Sequence, residues 1–230
     1  MKLFNLKSAT LAAALAAVFA APANAGIIIS EVAPWGSSTS SPAIPYATDW
    51  FELANTGASA VNISGWKMDD NSASFASAVA LTGITSIAAH ESVIFTENPA
   101  TASFLSTWFG GTPPAGLQIG NYTGSGVGLS QSGDAVNIYN GSGVLQASVS
   151  FGASDSVSPY QTFDNAAGLT GTITQLSVAG TNGAFVATND AQEIGSPGTI
   201  AAVPEADTYT MMLAGLGVVG FAARRTRKAD

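Results

Sequence analysis

Short stretches with apolar side chains at every second position recur between residues 26 and 178, and each predicts a β-strand. The clearest is Asp49–Asn55, where Phe51 and Leu53 face one way and Trp50 and Glu52 the other. Gly26–Val32, Ile63–Met68, Glu91–Thr96, Asp134–Tyr139 and Val144–Phe151 continue the pattern, and Ile173–Val178 is a weaker late copy. Asn140-Gly141-Ser142-Gly143 joins two of these runs as a hairpin, because Asn and Gly accept positive φ at little cost. One helix is expected at Pro99–Phe109. Asn98 would cap it, Pro99 would start it where a missing N–H does no harm, and Gly110-Gly111 would stop it. Residues 34–48 and 116–128 read as irregular loops. Short strands at regular spacing with glycine-rich turns predict an all-β fold, a sandwich of two sheets.

The two ends follow another pattern. Lys2 and Lys7 precede an apolar stretch, Leu11–Ala21, and Ala23-Asn24-Ala25 has the small-x-small form of a signal-peptidase site. Residues 1–25 therefore read as a signal peptide cut between Ala25 and Gly26. A second apolar run, residues 208–223, is followed by Arg224, Arg225, Arg227 and Lys228. As a helix it would span about 24 Å at 1.5 Å per residue, a little under the ~30 Å hydrocarbon core of a bilayer. It is the expected transmembrane helix, and the basic cluster, residues 224–230, is its cytoplasmic end. The body between, residues 26–198, is then outside the cytoplasm, joined to the helix by a linker, residues 199–207.

Composition narrows the chemistry. Charged residues are 10% of the chain, against roughly 25% in an ordinary soluble domain. Cysteine is absent and there is one histidine, which excludes disulfides, thiolate metal sites and a cysteine nucleophile. Between residues 26 and 203 the only basic side chain is Lys67, set against twelve acidic ones. Nucleic-acid affinity comes largely from Lys and Arg on phosphates, so nucleic acid is not an expected partner. Cations and neutral sugars are.

Two resemblances attach to these residues. Val203-Pro204-Glu205, the apolar run from Met211 to Ala223 and the arginines that follow resemble a PEP-CTERM sorting signal, with Ala206 in place of the second proline. That resemblance implies removal of the tail by an exosortase, after an inner-membrane intermediate and before delivery to the outer envelope, the cell surface or the medium. The second covers residues 26–198. Ile28-Ile29-Ser30-Glu31-Val32, Asp49-Trp50-Phe51-Glu52-Leu53-Ala54-Asn55, Ile63-Ser64-Gly65-Trp66, the Trp108-Phe109-Gly110 helix end and Gly195-Ser196-Pro197-Gly198 together resemble a bacterial lamin-tail domain. It implies an immunoglobulin-like β-sandwich on an exported protein.

Candidate chemistry within the body is sparse. His90 lies at an expected turn, and there is no G-x-S-x-G nucleophile elbow. Glu31, Asp49 and Glu52 lie on or beside neighbouring strands and read first as strand-edge residues that satisfy nearby backbone donors; the alternatives are calcium ligands and, in a cleft that brings two of them together, a carboxylate-dependent hydrolase. Asp69 and Asp70 are the candidate calcium ligands, an oxygen-only set in a loop; no other cofactor is expected. Trp35, in the Pro/Ser-rich loop, is the candidate for an exposed ring that stacks on a sugar. The sequence thus leads to a non-enzymatic surface or extracellular-matrix protein whose sandwich binds polysaccharide or protein. A purely structural matrix spacer and the hydrolase are the alternatives.

Overall fold

The computed structural model describes residues 26–36, 44–124, 126–155 and 157–199. The signal peptide with Ala25, the sorting residues Val203, Pro204 and Glu205, the apolar run and the basic cluster Arg224, Arg225, Arg227 and Lys228 lie outside the described residues. Among the described residues no helix is long and apolar enough to cross a membrane.

Strands dominate, in the order β1 (Ile27–Ala33), β2 (Trp50–Asn55), β3 (Val61–Asn62), β4 (Lys67–Asp69), β5 (Val79–Thr82), β6 (Ser86–Ile87) and β7 (Ser92–Thr96). A helix, α1 (Thr101–Phe109), follows. Then come β8 (Gln118–Tyr122), β9 (Asp134–Tyr139), β10 (Leu145–Phe151), β11 (Tyr160–Gln161), β12 (Phe163–Asp164), β13 (Gly171–Ile173), β14 (Phe185–Ala187) and β15 (Asp190–Gly195).

One hydrogen-bonded ladder runs β12-β1-β2-β7-β8-β5-β4-β9-β10-β13. It changes layer at β5, whose first half pairs with β4 (Val79 with Met68) and whose second half pairs with β8 (Leu81 with Tyr122). β1 and β10 then come close without sharing a ladder. The fold is an all-β sandwich. Its core takes Ile29, Phe51, Leu53 and Phe95 from one layer and Met68, Val136, Ile138 and Val149 from the other.

α1 exists because β7 and β8 are parallel, and parallel neighbours need a crossover. It ends as expected: Gly110 is left-handed, at φ 60°, and the cap donates to the carbonyls of Leu105 and Ser106. Its start differs. Ala100, not Asn98, occupies the cap position, and no side chain caps the first turn. The Ile63–Met68 strand is also broken, because Ser64-Gly65 make a turn closed by Trp66 N–H to the Ile63 carbonyl at 3.0 Å. Within the expected loop 116–128 lies β8, and Ile173–Val178 contributes only an end of β13 and a bridge from Leu176 to Phe163.

The sheet β1-β2-β7 is covered on both faces, so all six residues of β2 are buried. On the outer face a second cluster joins Ala33, Trp50 and Ile94 to Trp35, Ile44, Tyr46, Phe104, Trp108 and Tyr160. α1, the 44–48 segment and a small sheet, β11-β15-β14, supply the cover. This second layer positions the buried acids described next.

Candidate functional site

A bulge decides where Glu31 points. Ile27 and Ile29 face the sandwich core, and plain alternation would send residue 31 after them. The register of β1 against β2 slips between Ile29 and Glu31, setting Glu31 opposite Glu52 and Ala33 opposite Trp50. An extra residue, Ser30, thus turns Glu31 outward, as β-bulges do. The two carboxyls become cross-strand neighbours beneath the second layer, and both are fully buried.

Their partners come from the far end of the domain. Glu31 Oε1 accepts from the Thr162 hydroxyl and from the Ser196 N–H at 2.7 Å. Glu52 Oε2 accepts from the Gly198 N–H at 2.5 Å, and its Oε1 from the Ser30 hydroxyl at 2.8 Å. The pair therefore grips the backbone that leaves the domain toward residue 199. A third buried acid, Glu193 on β15, accepts from the Tyr46 hydroxyl at 2.6 Å, and Tyr46 in turn accepts from Trp50 Nε1 at 3.3 Å.

Burial sets the electrostatics of all three. It pushes Glu31 up to about 7, against the hydrogen bonds from Thr162 and Ser196, and the nearby Asp164 adds to the rise. Glu193 is pushed up to about 8, again mainly by burial. Glu52 is raised well above the usual carboxylate range by burial and by Glu31 beside it. Glu31 Oε2 and Glu193 Oε2 have no hydrogen-bond partner, which a neutral carboxyl tolerates far better than a charged one.

This arrangement agrees with the structural reading of these carboxyls and goes against the cleft that the hydrolase alternative needs. Glu31 and Glu52 do meet, but they are 0% exposed and Asp49 is 1% exposed, so no substrate bond reaches them. Their work is to hold chain segments together. Gly195 shows how tightly. A Cβ there would lie 2.8 Å from Glu31 Oε1, 2.9 Å from Thr162 Cγ2 and 3.0 Å from the Trp108 ring. Gly195→Ala is expected to destabilise the domain by about 1–3 kcal/mol through overpacking, read as a lower urea midpoint; an unchanged midpoint would show that the seal yields.

Trp35 also needs correction. It is 0% exposed, with Nε1 donating to the Gln161 carbonyl at 3.3 Å and its ring 5.5 Å from that of Tyr160. The loop composition suggested exposure, but the second layer needs an aromatic there to close the outer face of the sheet.

Asp69 and Asp70 are occupied by protein donors. Asp69 is buried and accepts from the Ser72 hydroxyl (2.7 Å), the Ser74 N–H (2.7 Å) and the Ser77 hydroxyl (2.9 Å), while Asp70 accepts from the Ser72 N–H at 2.9 Å. They cap a turn in this way, and among the described residues no group of three or more His, Asp or Glu is placed to hold a metal. His90 sits on the exposed turn before β7, in a left-handed conformation at φ 56°.

What sequence reasoning missed is the grip of Glu31 and Glu52 on residues 196–198. The signal was Glu52 on the same face as Trp50, since a strand with large apolar groups on both faces is covered on both.

A family model described as Lamin Tail Domain matches residues 20–153. A second, the PEP-CTERM protein-sorting motif, matches residues 202–228. No curated protein matches the chain. The matched stretch of the first holds Glu31 and Glu52 and stops short of β11–β15 and of the Ser196–Gly198 segment that they bind.

Proposed function

The chain belongs to the lamin tail domain family and carries a PEP-CTERM motif that marks it for export and exosortase processing, and from that premise we propose that it is a non-enzymatic binding module of the cell surface or extracellular matrix. In this reading the signal peptide is cut at Ala25–Gly26. The helix at residues 208–223 holds the protein briefly at the inner membrane, with Arg224, Arg225, Arg227 and Lys228 inside. Exosortase then acts near Val203-Pro204-Glu205 and frees the sandwich to bind polysaccharide or protein outside.

The observation that supports a scaffold over an enzyme is the sealing of Glu31, Asp49 and Glu52 from solvent. Acid–base catalysis needs a carboxyl within hydrogen-bond reach of substrate, and these three are closed off from the surface. At the surface the half-buried carboxylates of Asp70, Glu91, Glu97, Asp134 and Asp155 face Lys67 as the one basic side chain of the body, a balance that disfavours polyanionic partners.

Two measurements test the reading. Intact mass of the protein from medium and envelope fractions is expected to start at Gly26 and end near Pro204; a mass retaining Arg224–Asp230 would overturn the processing. The mature protein, labelled and added back to cells lacking its gene, is expected to coat their surface or matrix. Protein left wholly in the supernatant would overturn the binding role.

A further inference from the structure

We infer that the pocket floored by Asp164 is a binding subsite for one ring of a neutral, hydroxyl-rich saccharide. This deepens the reading of the sandwich as a binding module and rests on it. The pocket encloses about 170 Å³ between the β12 end, the turn after it and the 174–182 segment. That is the space of roughly five or six waters at ~30 Å³ each, enough for a single ring.

Its chemistry is mixed in the way a hydroxyl requires. Asp164 is 7% exposed and forms the floor. Its Oδ1 accepts from the Ala166 N–H at 2.7 Å. Its Oδ2 accepts from Asn182 Nδ2 at 2.8 Å and from Gln175 Nε2 at 3.5 Å, the second at the limit of a hydrogen bond. A carboxylate has about four acceptor sites and each amide two N–H donors, so the floor and rim keep capacity for a ligand. A sugar hydroxyl, which both donates and accepts, bridges a carboxylate and an amide placed side by side. Thr174 adds an exposed hydroxyl at the rim, and Leu169, 57% exposed, offers an apolar surface for the C–H face of a ring.

Charge sets the class. No basic side chain lines the pocket, and Lys67, the one basic residue of the body, sits over the Phe75 ring on another part of the sandwich. A uronate or sugar phosphate would face Asp164 with no counter-charge.

Gln175 and Asn182 are exposed, and glycine accepts the left-handed backbone of residue 182 at φ 49°. The test is therefore the double variant Gln175→Ala/Asn182→Gly of the mature protein, its fold verified by thermal melting. Affinity gel electrophoresis is run through dextran and galactomannan, both neutral, and through alginate, which is anionic. Wild type is expected to be retarded by a neutral polysaccharide and not by alginate, with at least a tenfold loss of affinity in the variant. A variant retarded like wild type would overturn the pocket while leaving the binding module standing on another face. Retardation of wild type by alginate would overturn the neutral selectivity. A wild-type protein that coats cells but is retarded by neither neutral polysaccharide would overturn the saccharide subsite and point the module toward a protein partner.

Discussion

Trp108→Ala is expected to cost the domain about 3–5 kcal/mol, the range for truncating a large buried aromatic. The indole is 0% exposed and lies edge-on to Trp50 at 5.7 Å and to Phe185 at 5.7 Å. It is the point where α1 meets β2 on one side and β14 on the other. Its own carbonyl accepts from the Thr188 hydroxyl at 2.9 Å, so the helix end and the β14–β15 turn are tied at the same residue. Removing the ring opens a cavity beside Trp50, Phe185 and the Gly195 backbone, and the cost grows with the part of that cavity the surroundings do not fill. The expected readout is a large drop in urea midpoint, with residues 185–198 becoming the first to exchange amide protons. A midpoint within 1 kcal/mol of wild type on conversion by the measured slope, a loss on the order of a surface change, would mean that the second layer contributes little and that the sandwich stands without it.

The sequence made half of this architecture legible. β1, β2, β7, β9 and β10 were readable because each carries apolar residues at alternate positions next to turn formers, as in Asp134–Tyr139 before Asn140-Gly141. β8 (Gln118–Tyr122) and β15 (Asp190–Gly195) were not, because their sequences, QIGNY and DAQEIG, hold few β-branched or aromatic residues. Partners from distant parts of the chain make them strands: β8 lies between β7 and β5, β15 between β11 and β14. The bulge at Ser30 was equally hidden, since a slipped register leaves no mark on composition. Without it the outward face of Glu31 could not be assigned, and without that face the grip of Glu31 and Glu52 on residues 196–198 could not be foreseen. Trp35 failed for a related reason. Its neighbours are Pro, Gly and Ser, the mark of a surface loop, but the ring itself closes the second layer.

Those buried acids give the domain a pH dependence opposite to the usual acid lability, and it follows from the direction of their shifts. In the unfolded chain a glutamate ionises near 4.5, whereas Glu31 in the fold holds its proton to about 7 and Glu193 to about 8. Below about 4.5 the folded and unfolded forms both carry these protons, and the contribution is fully present. As pH rises, the unfolded chain ionises first and gains solvation that the folded chain does not. The stability contributed by Glu31 and Glu193 is therefore lost progressively between about 4.5 and 8. Urea midpoints measured at pH 5 and pH 8 are expected to be clearly higher at pH 5. Glu31→Gln keeps the carbonyl oxygen that accepts from Thr162 and Ser196 and removes one titration, so its profile is expected to be flatter than wild type, with the difference greatest above pH 7. A wild-type midpoint that rises from pH 5 to pH 8 would show that these carboxyls are charged in the fold. The grip on residues 196–198 would then be a set of charge-assisted hydrogen bonds from backbone N–H groups that strengthens with pH, in place of a neutral seal that loosens as pH rises.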